Sequence, residues 1–241
     1  MNGYRLVNWT ASTIATLALA VGLLAAWTSD SHAAFKLHLS TQSGGLVEIT
    51  DNGAGDLVGD VGAIGFAGSV GNFVLNFTIG TSKPVIGSVL EGEINLTSVN
   101  ASNFAGDVLT MMVTDTGFEN PGGGTALKPF ITSVNSVHIA GSLSVETYFG
   151  SNNQEFELGT QVADIGPLGP GSGAGGETTW ADVGSPFSMT MVVTVDHTNI
   201  AGLTSFDANF ADPIPEPRTL ALFGIGLLGL GFLSRRSRRT A

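Results

Sequence analysis

Apolar and polar residues alternate one by one through Phe73-Val74-Leu75-Asn76-Phe77-Thr78-Ile79, which sets Phe73, Leu75, Phe77 and Ile79 on one face. The same period of two runs through Phe35-Lys36-Leu37-His38-Leu39-Ser40, and through Ile94-Asn95-Leu96-Thr97-Ser98-Val99 with one slip. Residues 108–114, 134–145, 189–195 and 203–210 repeat it. Successive side chains of a strand point to opposite faces, so this period predicts strands with one buried face. Val, Ile, Thr and Phe dominate the runs and suit a pleated, half-buried surface. Asp51-Asn52-Gly53, Lys83-Pro84, Asp115-Thr116-Gly117 and Asn120-Pro121-Gly122-Gly123-Gly124 interrupt them with turn residues. The prediction is an all-β domain of about ten antiparallel strands, a two-sheet β-sandwich of jelly-roll or immunoglobulin-like type. A closed barrel is the alternative. An outer-membrane barrel is not expected, because the strands are short and uneven and an aromatic girdle is missing. Residues 166–177 hold six glycines and two prolines and read as a mobile surface loop.

The ends follow other patterns. Arg5 precedes an apolar run from about Ile14 to Trp27, Asp30 breaks it, and Ser31-His32-Ala33 places small residues at −3 and −1 of a cleavage point. Residues 1–33 therefore read as a secretory signal peptide with its helix, removed by signal peptidase after the general secretory machinery exports the chain. No Arg-Arg pair precedes the apolar run, which disfavours the twin-arginine route. Residues 34–212 form the predicted β-sandwich domain. The remaining residues, 213–241, have three parts in order: Pro215-Glu216-Pro217, an apolar stretch from Thr219 to Ser234, and Arg235, Arg236, Arg238 and Arg239. The prolines continue neither a helix nor a ladder, so the first part is expected to stay extended and open to a protease. The apolar part would be a transmembrane helix of about 24 Å, short for a bilayer core of about 30 Å. Such a span suits a transient inner-membrane anchor. The arginines stay cytoplasmic by the positive-inside rule, which leaves the main domain outside.

Pro215-Glu216-Pro217, the Leu- and Gly-rich stretch through Leu220, Leu222, Gly224, Gly226, Leu227, Leu230 and Gly231, and the arginine cluster resemble the PEP-CTERM sorting signal. That resemblance implies an exosortase, a membrane-embedded cysteine transpeptidase, as the partner that recognises the tag. It also implies a Gram-negative bacterium that makes extracellular polysaccharide, with the protein in the cell envelope, at the cell surface or in the extracellular matrix. The body resembles uncharacterised β-rich exported proteins with the same tag, in Asp51-Asn52-Gly53-Ala54-Gly55-Asp56, Gly62-Ala63-Ile64, Gly71-Asn72-Phe73 and Thr147-Tyr148-Phe149-Gly150.

Charge sharpens the picture of the body. Between Ala34 and Asp212 stand three lysines, Lys36, Lys83 and Lys128, against 18 acidic residues, a net charge of −15. Such a surface repels phosphate backbones, so no nucleic-acid partner is expected. The chain has no cysteine, which removes disulfides, thiolate metal sites, a Cys nucleophile and a lipoprotein anchor.

No catalytic set is visible, and the chain is expected not to be an enzyme. His32 lies at the signal cleavage site, while His38, His138 and His197 stand alone in strand-like runs without metal-ligand spacing. Gly171-Ser172-Gly173 lacks the spacing of a nucleophile elbow. Glu155 and Glu157 would share one face if their segment were a strand. The sequons at Asn8, Asn76 and Asn95 read as chance matches in a bacterial protein.

Two binding sites are candidates. Asp51, Asn52, Asp56 and Asp60 offer oxygen ligands and a tight glycine turn for calcium, without EF-hand spacing; the same residues also suit a plain hairpin turn. Trp180, the one Trp outside residues 1–33, could stack on a sugar. The leading expectation is a structural or adhesive envelope protein associated with extracellular polysaccharide. The alternative is a calcium- or carbohydrate-binding module.

Overall fold

Each alternating run becomes a strand because only pairing with neighbours satisfies its backbone while its apolar face is buried. The computed structural model describes residues 35–213. Among them are twelve strands and no helix. They are β1 (Lys36–Thr41), β2 (Leu46–Thr50), β3 (Ala63–Val70), β4 (Phe73–Thr81), β5 (Gly92–Asn103), β6 (Val108–Phe118), β7 (Ala126–His138), β8 (Ser142–Gly150), β9 (Thr160–Leu168), β10 (Gly171–Val183), β11 (Phe187–Asp196) and β12 (Gly202–Asp212). The signal peptide, the Pro-Glu-Pro motif, the apolar stretch and the arginine cluster lie outside the described residues.

The strands form two antiparallel six-stranded sheets, ordered β2-β1-β6-β11-β8-β9 and β10-β7-β12-β5-β4-β3. Their inner faces share one apolar core. Phe130 of β7 stacks on Phe149 of β8 at 5.2 Å between ring centroids, and touches Phe187 and Phe210. The buried hydroxyls of Thr132 and Thr147 hydrogen-bond across the same gap at 2.8 Å. Burying each Phe removes its surface from water, a gain of about 1.5–3 kcal/mol per side chain.

The slip in the alternation of β5 is a β-bulge. Phe206 pairs with Val99 and Ala208 with Leu96, so β5 spends one residue more than β12 there. Ser98 takes a φ of 57° and donates its N–H to Asp207 Oδ1 at 2.7 Å. The bulge keeps Ile94 and Leu96 on the same buried face as Val99 and Ala101.

Four expectations need correction. Residues 166–177 are not a loop: they carry the end of β9, a tight connection and the first half of β10. Their glycines make room. A Cβ at Gly175 would meet Ile165 Cγ2 at 2.2 Å, and one at Gly173 would meet Leu168 Cβ at 3.2 Å, so the bare strand lets β9 side chains close over it. The run at 134–145 is two strands, broken at Gly141, whose φ is 80° and whose Cβ would strike the Asp196 carbonyl. Ile79 does not share the face of Phe73 and Leu75. β4 spends an extra residue against β3 between Leu75 and Thr78, which turns Thr78 inward to full burial and pairs the half-buried Ile79 with Thr97. The side chain of Phe77 lies outside the described set. Finally, Glu155 and Glu157 sit in a turn segment. Glu155 binds Lys36 Nζ at 2.6 Å, while Glu157 accepts hydrogen bonds from Asn152 and Gln154. Phe156 between them donates its N–H to Thr114 Oγ1, laying this segment over β6.

Candidate functional site

Asp51 and Asp56 end in a web of local hydrogen bonds. Asp51 Oδ2 accepts the Gly62 N–H at 2.8 Å, and Asp51 Oδ1 accepts the Asn52 amide at 3.0 Å. Asp56 accepts the N–H groups of Asn52, Val58 and Gly65, each at 2.9 Å. The segment is thus a folded turn whose carboxylates organise its own backbone. Among the described residues no three His, Cys, Asp or Glu gather as a metal site requires.

All three lysines are committed to ion pairs: Lys36 to Glu155, Lys83 to Asp115 at 3.0 Å and Lys128 to Asp212 at 2.7 Å. The last two pairs are buried and close one end of the core. Lys83 Nζ lies 3.8 Å over the Phe118 ring and Lys128 Nζ 5.0 Å over Phe187, and those two rings are in contact. Asp115 also accepts the Ser82 hydroxyl, and Asp212 the Gly92 N–H. Burial pushes the Asp212 carboxyl up to about 6 against the pull of Lys128. It also raises Asp115 and lowers Lys83, each opposed by the other's charge. Asp212 is the last residue of β12, which lies between β5 and β7, and the Pro-Glu-Pro motif begins three residues on. The body therefore finishes on a locked central strand right beside the tag.

The far end of β12 holds the group that sequence reasoning missed. His138 and His197, expected to stand alone, share Thr204: its Oγ1 is 3.1 Å from His138 Nδ1 and 2.8 Å from His197 Nε2. His138 Nε2 reaches Ser136 Oγ at 2.8 Å, and Ser136 donates to the Gly173 carbonyl at 3.4 Å. His197 Nδ1 has no partner among the described residues. A buried bare lone pair costs less than a buried bare N–H, so one polarity satisfies the chain. His197 donates to Thr204, Thr204 to His138, His138 to Ser136, and Ser136 to Gly173. Both rings must be neutral for this, and burial lowers both pKa values. The unfolded chain therefore binds more protons than the native one below the ordinary histidine value of about 6.5. Stability from this pair is complete above that pH and is lost as the pH falls below it. Between about pH 7.5 and 5.5 the melting temperature of a His138→Gln/His197→Gln variant is expected to fall less than that of the wild type. Parallel curves would contradict the assignment.

The outer face of the second sheet carries polar groups in register, most of them amides. Asn76 faces Asn100, Asn95 faces Asn209, and Asn135 faces Asp207. Small residues of β7, β10 and β12 leave a hollow of about 430 Å³ there, bordered by Asn135, Val137, Ser172, Ser205 and Asp207. The side chains of Asn135, Ser172 and Ser205 make no hydrogen bond within the described residues, so their donors and acceptors face solvent. Trp180 lies away from this hollow. It is 56% exposed and stands opposite Pro129, six residues along β10 from the hollow's Ala174.

Residues 213–239 match the family of the PEP-CTERM protein-sorting motif. The chain thus carries the tag that implies an exosortase partner and export to the cell envelope or surface. No curated protein matches the chain. Among solved structures, the adhesin domain of Epf from Streptococcus pyogenes is similar at a TM-score of 0.34 and 8% identity, over 75% of this chain and 61% of that one. A carbohydrate-binding module of Cellvibrio mixtus lichenase 5A in complex with cellotriose gives 0.26 and 11%, over 58% and 90%. The enzymatically active domain of a bacteriophage CBA120 tailspike protein gives 0.31 and 10%, over 59% of this chain and only 19% of that one. Likeness this slight carries no argument about ligand or activity.

Proposed function

We propose that the chain is a non-enzymatic matrix or envelope protein of a Gram-negative bacterium, exported through its signal peptide and released by an exosortase at its tag. Its body is read as a jelly-roll sandwich. Strand order supports this: β5 to β12 distribute as β5-β12-β7-β10 in one sheet and β6-β11-β8-β9 in the other, the double Greek key of that fold, with β1 to β4 widening both sheets.

The body's role is to lie against extracellular polysaccharide through the outer face of β4, β5, β12 and β7. The observation that carries this is the set of unengaged amide and hydroxyl groups of Asn135, Ser172 and Ser205, which can exchange hydrogen bonds with sugar hydroxyls around a hollow of suitable size. Charge narrows the ligand. With every lysine of the body paired and net charge −15, no free cation remains among the described residues to meet a uronate or sulfate. The polysaccharide is therefore neutral.

Co-sedimentation of the full chain with neutral and acidic fractions of the host polysaccharide tests this. Binding to the neutral fraction is expected, and Asn135→Ala with Ser205→Ala should weaken it about tenfold, the loss of one or two net hydrogen bonds. Unchanged binding by the variant, or binding to the acidic fraction alone, would overturn it.

A further inference from the structure

Beyond the hollow, towards the end of β12, the same outer face turns apolar. Leu127, Pro129 and Ile131 occupy successive outward positions of β7. Trp180 of β10 stands directly opposite Pro129, and so diagonal to both Leu127 and Ile131, within reach for a ring of its size. Pro129 is buried, yet Leu127, Ile131 and Trp180 remain 59%, 38% and 56% exposed. Ala211 completes the row opposite Ile131, one residue before the chain leaves at Asp212. Leu90, also exposed, lies at this end, since its carbonyl accepts Lys128 Nζ. Apolar side chains gathered in one exposed corner, with a Trp among them, mark a contact surface.

We propose that this corner seats on the lipid bilayer while the tag is anchored. The inference rests on the reading that the apolar stretch of the tag enters the membrane. Seven residue steps separate Asp212 from Thr219, where that stretch starts, and they span at most about 25 Å even fully extended. The end of the body that carries Asp212 is thus held against the membrane surface, and the apolar corner is on that end. Trp favours the boundary between headgroups and acyl chains, where its ring is half wet. Asp182 opposite Leu127 and Glu93 opposite Ala211 rim the corner with negative charge. The surface it fits is accordingly zwitterionic, and anionic lipid weakens the contact. The seating leaves the polar hollow, further along the same strands, at a distance from the bilayer.

The test uses the full chain with Trp9→Phe and Trp27→Phe, so that Trp180 is the only indole, reconstituted in phosphatidylcholine vesicles. The chain is expected to float with the vesicles, with Trp180 emission shifted to the blue and quenched when the acyl chains are brominated near the headgroup. Adding Leu127→Ser and Ile131→Ser should remove more than half of the quenching and leave flotation unchanged. A floating chain whose Trp180 escapes quenching overturns the proposal. So does undiminished quenching in the variant. A blue shift without lipid, accompanied by a dimer in solution, assigns the corner to a second copy and rejects lipid. A chain that fails to float refutes membrane entry by the tag itself, and the seating falls with it.

Discussion

Lys128→Met is expected to cost about 3–5 kcal/mol of unfolding free energy at pH 8 and clearly less at pH 5. The substitution keeps most of the apolar stem but strips Asp212, which is wholly buried, of the ammonium 2.7 Å away. Only the Gly92 N–H then remains to hold the carboxylate. The pH dependence follows from sign. The native carboxyl already titrates at about 6, above its ordinary 3.8, so it prefers a proton where the unfolded chain does not. That contribution favours the native state below about pH 4 and is lost as the pH rises through about 6. Removing Lys128 takes away what opposes burial and raises the carboxyl further. At pH 5 the variant buries a neutral acid, and at pH 8 it must bury a bare charge or pay to protonate it. Replacing both partners, as Lys128→Met with Asp212→Leu, should recover most of the loss, because an apolar pair leaves nothing unpaired. Urea titrations at the two pH values check all three statements. Equal losses at pH 5 and pH 8 would show that the pair is not what locks the end of β12.

Replacing Pro215, Glu216 and Pro217 together by alanine is expected to abolish processing, with the full precursor accumulating in the membrane fraction. Alanine removes the restriction on φ that proline imposes and permits helical backbone where proline does not. It also removes the one carboxylate between Asp212 and the arginine cluster. The body should be indifferent, because Asp212 is the last buried residue among those described and the substituted positions lie beyond it. The melting temperature should therefore stay at the wild-type value while the processed form disappears from immunoblots of whole cells. Continued processing would mean that recognition lies in the apolar stretch or the arginines alone.

Much of the scaffold was legible because half-buried strands write their faces into the sequence. Phe35 to Ser40, residues 189–195 and residues 203–210 all fell within or against strands, and the irregularity at Ser98 marked a real bulge. The glycine-rich stretch misled because composition reports what a segment prefers alone. Here the tight fit of Ile165 and Leu168 against bare backbone decides its shape. The histidine pair had no local signature. His138 and His197 are far apart in sequence and meet only because β12 delivers Thr204 between them. The buried ion pairs left a faint trace, two of only three lysines, with Lys128 set in the apolar run Ala126-Leu127-Lys128-Pro129-Phe130. The amide face went unread, because its asparagines stand singly at polar positions of β4, β5, β7 and β12. Its continuity across strands depends on register, which alternation alone does not fix.

If the proposed sorting holds, residues beyond Asp212 are a removable address and not part of the working protein. Intact-mass measurement of the protein isolated from its host tests it most directly. The account predicts a chain that starts at Ala34 and stops within or beside Pro215-Glu216-Pro217, free of the Leu-rich stretch and its arginines. A mass that still includes Ala241 would contradict it.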